Sequence, residues 1–244
     1  MQVYIHKNAE ETALALATCI AKEAEKSQRL FAMAISGGQT PEILFSVLAQ
    51  HFIKKIRWEN VHIFWVDERC VPPDDNQSNY KNAYIHWLSK ISIPKENIHR
   101  IRGEDNPTDE AIRYGQEIKK VCNSASGYPV FDFILLGLGV DGHTASIFPG
   151  QEYLLTAKSI CKTSVHPASA QKRISLSGKV INNALRVAFL VTGQEKKEIV
   201  KRVIYDNDPT LPASFVQPKK GKVYWFLDDY AAELIKGDFY KLIH

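Results

Sequence analysis

The run Phe131-Asp132-Phe133-Ile134-Leu135-Leu136-Gly137 is the clearest strand pattern in this sequence. A nearly continuous series of apolar residues is typical of a strand buried on both faces of a parallel sheet. The glycine-containing segment 138–149 follows directly. The run therefore predicts a parallel sheet with a flexible loop at the carboxyl end of one strand, where such sheets bind ligands.

Short apolar runs and helical patterns alternate on both sides of this strand. This alternation predicts an α/β fold, with a mainly parallel sheet and helices on both faces. No linker divides the chain, so we expect residues 1–244 to form a single domain. The predicted strands are 30–35, 61–66, 98–101, 131–137, 159–165, 173–177, 186–192 and 222–227. The predicted helices are 8–29, 41–52, 77–90, 107–122, 178–185, 194–206 and 228–236.

The composition is that of a globular protein, with 244 residues, 45% hydrophobic residues and a net charge of +4. The positive charge is spread along the chain without a dense Lys/Arg block. Small anions are therefore expected as partners, and nucleic acid is not.

Cysteine spacing and the amino-terminal sequence indicate in which cell compartment the protein is expected. Cys19, Cys70, Cys122 and Cys161 are widely and irregularly spaced, which predicts reduced thiols without a zinc site or a disulfide framework. The amino terminus lacks a signal-peptide pattern, and no apolar stretch approaches the roughly 20 residues of a membrane helix. We expect a cytoplasmic protein that contacts no membrane.

The segment Ser36-Gly37-Gly38-Gln39-Thr40-Pro41 lies between a predicted strand and a predicted helix. Glycines allow close approach of backbone to an anion, and free N–H groups at a helix start attract negative charge. A phosphate cradle and a simple strand-to-helix turn explain this pattern equally well. The segment matches neither dinucleotide nor P-loop fingerprints.

Charged residues directly follow the strand at 61–66. A guanidinium offers a fixed fork of donors, so Arg69 is suited to an oxyanion or a phosphate. Asp67 or Glu68 is suited to orienting that arginine or a substrate hydroxyl.

His143 lies in the loop after the strongest strand, between small residues and two positions from Asp141. Imidazole exchanges protons near neutral pH, so His143 is the candidate acid or base. Arg173 and Lys196 are ordinary surface charges on sequence grounds alone, but both gain interest if a phosphate must be neutralised. No nucleophile elbow and no metal-ligand spacing occurs, so we expect neither an acyl-enzyme nor a metal or other cofactor.

Five segments together carry a family resemblance. They are SGGQTP (36–41), DERCVPPDDNQSNY (67–80), GLGVDGHTASIFP (137–149), RISLS (173–177) and VTGQEKK (191–197). In this order the chain resembles the 6-phosphogluconolactonase family over its whole length. Glucosamine-6-phosphate deaminases are similar up to Asp-Gly-His but continue with Ile-Ala-Phe-Asn-Glu-Pro, whereas Thr144 to Pro149 follow the lactonase pattern.

The resemblance implies a modified Rossmann-like fold and the hydrolysis of 6-phospho-D-glucono-1,5-lactone, the second step of the oxidative pentose phosphate pathway. It implies that His143 is the base and that Arg69 belongs to the site. It also implies that Arg173 and Lys196, or the adjacent Lys197, bind the phosphate. The cradle would be formed by Gly37, Gly38 and Thr40, with Ser36 beside them.

In a reaction of this kind we expect Asp141 to set the His143 tautomer or to bind a sugar hydroxyl.

Two alternative functions remain open for this sequence. One is an aldose-phosphate deaminase or isomerase, such as glucosamine-6-phosphate deaminase. The other is a non-catalytic sugar-phosphate sensor, which would need an added DNA-binding segment, and the first predicted strand near residue 30 leaves no length for one. We expect a monomer or a small homo-oligomer.

Overall fold

The computed structural model describes residues 1–27, 30–235 and 237. Twelve strands lie within these residues: β1 Gln2–His6, β2 Phe31–Ile35, β3 Val61–Trp65, β4 Asp67–Arg69, β5 Ile98–His99, β6 Asn123–Ala125, β7 Tyr128–Val130, β8 Phe133–Leu136, β9 Cys161–Val165, β10 Lys172–Leu176, β11 Arg186–Val191 and β12 Lys222–Asp228. The α-helices of the same residues are α1 Ala9–Lys26, α2 Gln39–His51, α3 Asn79–His86, α4 Pro107–Val121, α5 Tyr153–Thr156, α6 Gly178–Ile181 and α7 Lys197–Ile204.

Seven strands form the central sheet in the order β1-β12-β11-β8-β2-β3-β5. Each neighbouring pair is parallel. From β2 the chain moves to β3 and β5 on one side, and from β8 it moves to β11 and β12 on the other. The loops that leave β2 and β8 therefore diverge, and open α/β sheets bind ligands at such a reversal.

Helices cover both faces of this sheet, as two adjacent residues of β3 show. Consecutive side chains of a strand point to opposite faces. Phe64 contacts Tyr114 of α4, and Trp65 contacts Tyr80 of α3. The predicted fold class, a mainly parallel sheet between helices, is confirmed.

The central strands are buried because helices shield them on both sides. All five residues of β2 are buried, as are those of β8. Phe189 and Trp225, which face each other across β11 and β12, stack with ring centroids 3.9 Å apart. Continuous apolar sequence is the pattern expected of such strands.

A second, antiparallel sheet orders β4, β10 and β9 beside the main one. The sequence predicted strands at β9 and β10 but not β4, which has only three residues. Its pairing brings Arg69 opposite Arg173. This small sheet forms one wall of the site.

Several predicted elements differ from the structure. The sequence missed β1 and the β6–β7 hairpin. The helix predicted at 178–185 is the single turn α6, and residues 229–235 of the helix predicted at 228–236 form turns. Residues 28, 29 and 236 of the predicted helices lie outside the described residues. Within the described part of the chain, no helix has the length and apolar character needed to cross a membrane.

Candidate active site

A cavity of about 360 Å³ lies beyond the carboxyl ends of β2 and β8, where the strand order reverses. Loops that follow β3 and β11 complete its walls. Nearly all of the predicted site residues line it: Ser36, Gly37, Gly38, Thr40, Asp67, Arg69, His143, Arg173 and Lys196. Asp141 does not line the cavity, but its carboxylate lies within hydrogen-bond distance of the His143 ring.

The glycine segment brings the amino-terminal end of α2 to the cavity. Gly38 is the residue before the helix, and its φ of 113° lies in the region that favours glycine. Among the described residues no side chain caps α2, so the first N–H groups of the helix remain to attract an anion. The Ser36 hydroxyl donates to the carbonyl of Leu135 at 3.0 Å. Ser36 therefore joins the ends of β2 and β8 in this structure.

Lys196, rather than Lys197, reaches the cavity. The Lys196 ammonium lies 2.9 Å from the carbonyl oxygen of Leu138, in the loop after β8. Lys197 instead forms an exposed ion pair with Glu233. Of the two lysines, Lys196 is therefore the one that lines the cavity.

Arg69 and Arg173 bring two guanidinium groups to the same wall. Nη1 of Arg69 donates to the carbonyl of Gln77 at 2.7 Å. Nε of Arg173 is buried and has no hydrogen-bond partner among the described residues. Burial lowers the pKa of Arg173. The negative charge of Asp67 opposes that shift, and the positive charge of Arg69 adds to it. An arginine nevertheless stays protonated, so this wall is suited to an oxygen anion.

Asp67 is buried and is tied to the loop after β8. The Ser146 hydroxyl donates to Oδ2 of Asp67 at 2.5 Å, and Ser146 is itself buried. Thr144 donates to the carbonyl of Gly137 at 2.9 Å, which closes the turn from the other end. The residues after His143 thus fix the turn that carries the imidazole against the end of β3.

Glu68 stabilises the segment around the start of α3 through hydrogen bonds. Its carboxylate accepts the N–H groups of Arg69, Asn79 and Tyr80, each at 2.8 Å, and the Ser78 hydroxyl at 3.2 Å. Burial raises the pKa of Glu68 to about 7, although the backbone N–H groups favour the charged form. Since Glu68 accepts the first N–H groups of α3 and does not line the cavity, Asp67 is the acidic residue of this pair that lines it.

His143 and Asp141 form a hydrogen-bonded pair at the cavity edge. Nδ1 of His143 lies 2.5 Å from Oδ1 of Asp141, which also accepts the backbone N–H of His143 at 3.1 Å. Burial alone would raise the pKa of Asp141, but hydrogen bonding and the charge of His143 outweigh it and lower the pKa. A carboxylate at this distance from Nδ1 favours the neutral tautomer that carries its proton on Nδ1 and leaves Nε2 as the acceptor.

Tight backbone geometry keeps this pair in place. Gly142 has a φ of 84°, and a Cβ at Gly139 would lie 2.1 Å from Nδ1 of His143. The carbonyl of Gly142 accepts the N–H of Ala213 at 3.0 Å, which braces the turn from outside. The glycines that flank His143 are required by these close approaches.

Several residues that line the cavity were not among the predicted site residues, and the polar ones include Asn79, His166 and Glu195. Asn79, the first residue of α3, lines the cavity, whereas Ser78 caps the helix. His166 also lines the cavity and packs edge-on against Phe148, which in turn contacts His143. No local sequence pattern distinguishes these residues, because loop folding brings them to the site.

The described part of the chain contains no set of side chains that could bind a metal ion. No cluster of three or more His, Cys, Asp or Glu side chains is placed to hold an ion there. The cavity instead combines cationic side chains, backbone N–H groups, the imidazoles of His143 and His166, and the carboxylates of Asp67 and Glu195.

Known proteins share both the sequence and the fold. The family model for glucosamine-6-phosphate isomerases/6-phosphogluconolactonase matches residues 6–225. The chain belongs to this family. The 6-phosphogluconolactonase of Haemophilus influenzae is 41% identical over 206 residues, which cover 83% of this chain and 87% of that protein. The resemblance that the five motifs indicated is confirmed.

Solved structures of the family superimpose closely. The 6-phosphogluconolactonase from Trypanosoma cruzi does so with a TM-score of 0.85 at 28% identity, over 96% of each chain. A monomeric glucosamine-6-phosphate deaminase gives a TM-score of 0.82 at 21% identity, over 96% of this chain and 100% of that chain. The second likeness shows only that both branches of the family share the fold, so the reaction must be argued from the site.

Proposed function

We propose that this family member hydrolyses 6-phospho-D-glucono-1,5-lactone to 6-phosphogluconate. The observation that carries the proposal is the His143–Asp141 pair, whose imidazole faces a cavity lined by three cationic side chains. The lactonase of Haemophilus influenzae at 41% identity supports the same reaction. Hydrolysis of a phosphorylated lactone requires both an anion site, which holds the phosphate, and a base, which takes a proton from water.

The phosphate end of the substrate is held by the amino terminus of α2 together with Arg173 and Lys196. Charge-assisted hydrogen bonds from these groups are shorter and stronger than neutral ones. Gly37 and Gly38 let the phosphate approach the backbone, and Thr40 adds a hydroxyl from the first turn of the helix. The buried, unpaired Nε of Arg173 gains a partner when the anion binds.

His143 acts as the base on water. As the water oxygen bonds to C1 of the lactone, Nε2 takes a proton from that water. Arg69 or a nearby backbone N–H stabilises the resulting oxyanion. The bond between C1 and the ring oxygen then breaks, and the proton on Nε2 passes to that oxygen. The imidazole returns to its neutral form, and the product acid loses its carboxyl proton to solvent.

The required rate enhancement is modest. A δ-lactone is an activated ester that hydrolyses slowly without a catalyst. A positioned general base typically contributes ~10²–10⁴-fold, and fixing the substrate adds to this. One imidazole and an anchored phosphate therefore suffice.

Lactone disappearance is the direct measurement. The lactone is generated in situ from glucose 6-phosphate, and its decay is followed by NMR with and without the protein. We expect faster decay with the wild-type chain and near-spontaneous decay with His143→Ala. Equal decay in the presence and absence of the wild-type chain would contradict the proposal.

A deaminase or isomerase of an aldose phosphate is the nearest alternative. The continuation Thr144-Ala145-Ser146 speaks against it, because the lactonase pattern here is built into the site through the bond from Ser146 to Asp67. Ammonia release from glucosamine 6-phosphate tests the alternative, and we expect none above background. A pure sensor is disfavoured because it has no need of an imidazole held in one tautomer by a carboxylate.

We propose that the chain binds a phosphorylated sugar lactone and neither nucleic acid nor a membrane, and that it works in the cytoplasm as a monomer or small homo-oligomer. The net charge of +4 without a dense basic block supports the first part. Sedimentation with and without added DNA checks both mass and binding.

A further inference from the structure

Asn79 is a buried polar residue of the cavity that the proposed reaction has not used. It is the first residue of α3, is 3% exposed and lines the cavity. Its side chain lies between the backbone of Asp67 and that of Gly37. A Cβ at Gly37 would lie 2.0 Å from Oδ1 of Asn79.

One half of the Asn79 amide fixes the orientation of the other half. Nδ2 donates to the carbonyl oxygen of Asp67 at 2.9 Å. Exchanging Oδ1 and Nδ2 would place two acceptors against each other, so the hydrogen-bond network assigns the amide orientation. Oδ1 therefore points away from Asp67, towards the glycine segment.

Oδ1 of Asn79 is buried and finds no hydrogen-bond partner within the described residues. Buried polar atoms are nearly always paired, and an unpaired one carries a desolvation cost that a ligand can relieve. An amide oxygen only accepts hydrogen bonds, as do the oxygens of a phosphate dianion. A ligand group that pairs with Oδ1 must therefore be a hydrogen-bond donor, such as a sugar hydroxyl, and not the phosphate.

We propose that Oδ1 of Asn79 accepts a hydrogen bond from the 4-hydroxyl group of the sugar lactone and so determines specificity for it. The inference rests on the proposed function. In a 6-phosphorylated 1,5-lactone, C5 carries the ring oxygen and the phosphorylated carbon, so the hydroxyl nearest the phosphate is on C4. Asn79 adjoins the glycine segment that holds the phosphate, whereas His143 acts at C1, the other end of the ring.

Paired substrates and variants test this contact. The parent lactone, its 4-deoxy analogue and its 2-deoxy analogue are made by chemical oxidation of the corresponding aldose phosphates. We measure kcat/KM of wild type and Asn79→Ala on each. For wild type, we expect about a tenfold lower value on the 4-deoxy analogue than on the parent lactone, because a buried acceptor is then left unpaired.

In Asn79→Ala we expect the parent and 4-deoxy lactones to react with nearly equal kcat/KM. The ratio between parent and 2-deoxy lactones should stay as in wild type. These ratios do not depend on how much of a variant is folded, since each compares two substrates on one preparation. Asn79→Ser provides a second variant if the alanine protein is not obtained. An unchanged parent to 4-deoxy ratio in both variants would overturn the inference.

Asn82 supplies a matched control on the same helix. Its Nδ2 donates to Glu42 at 2.5 Å and its Oδ1 is also buried without a partner, but it does not line the cavity. We expect Asn82→Ala to keep the wild-type preference for the parent over the 4-deoxy lactone. Failure of the proposed function would show differently, as no turnover of the parent lactone by the wild-type chain.

Discussion

Arg69 and Arg173 are direct partners across the β4–β10 ladder, and both line the cavity. Directly opposed residues of an antiparallel pair lie on the same face, where like charges destabilise the pair. The structure therefore maintains a local repulsion that a bound anion relieves. This relationship links the architecture of the small sheet to phosphate binding.

Arg173→Gln should raise KM for the lactone by about 10- to 100-fold, because a hydrogen bond to a charged group is worth roughly 1.5–3 kcal/mol. The value of kcat should change much less, since the phosphate lies away from C1. Initial-rate kinetics check both parameters. Lys172→Gln, at the exposed neighbouring position of β10, is the control and should leave KM near wild type. A normal KM for Arg173→Gln would remove Arg173 from phosphate binding.

The parallel sheet and its ligand edge could be predicted because the central strands are buried on both faces and are continuously apolar in sequence. The edge strand β1 escaped detection because its residues are only partly buried and alternate weakly. The turns at 229–235 read as a helix. The Asp228 carboxylate instead accepts the N–H groups of Ala231 and Gly193, which ties this segment to the loop after β11.

The contacts between residues of the site were harder to predict from the sequence than the sheet was. His143 and the glycine segment were identified from sequence because each directly follows a strong strand. The apposition of Arg69 and Arg173 depends on a three-residue strand that no local pattern indicates. Asn79 could not be identified from sequence, since its place in the cavity depends on its proximity to Gly37 in another loop.

Asp141→Asn should lower kcat by ~10- to 10³-fold and leave KM nearly unchanged. The carboxylate holds the proton of His143 on Nδ1, and an amide no longer enforces that tautomer or balances the imidazolium that forms. Steady-state kinetics of Asp141→Asn, His143→Ala and the double variant check this. The double variant should resemble His143→Ala, because the two residues act as one unit. A large rise in KM with kcat preserved would instead indicate that Asp141 binds a sugar hydroxyl.

Glu117 should make stability fall at acid pH. The hydrogen bond from His99 and the contact with Arg113 lower the pKa of Glu117 to about 2, against an ordinary value of 4.5. A depressed carboxyl pKa stabilises the fold above the unfolded-state pKa, and this contribution is lost as pH falls from about 4.5 towards 2.

Glu117→Gln should therefore lower the free energy of unfolding at pH 7 by an amount on the order of 1–2 kcal/mol, allowing for partial exposure of the pair. It should also flatten the loss of stability between pH 4.5 and pH 2. Urea unfolding at several pH values measures both effects. Glu25→Gln, at an exposed position of α1, serves as the control. Parallel pH curves for wild type and Glu117→Gln would contradict the expected linkage.

Lys196 and Lys197 are adjacent in sequence but only Lys196 faces the cavity, so they form a matched pair for testing phosphate binding. Lys196→Ala should raise KM about tenfold or more with a smaller effect on kcat, because an ammonium that neutralises the dianion is lost. Lys197→Ala removes only an exposed ion pair with Glu233, which is worth at most about 1 kcal/mol in stability. Its kinetics should match wild type. Inorganic phosphate should also raise the melting temperature of wild type and Lys197→Ala more than that of Lys196→Ala, since a ligand stabilises the folded state more when it binds more tightly. Equal thermal shifts in all three proteins would place the phosphate elsewhere.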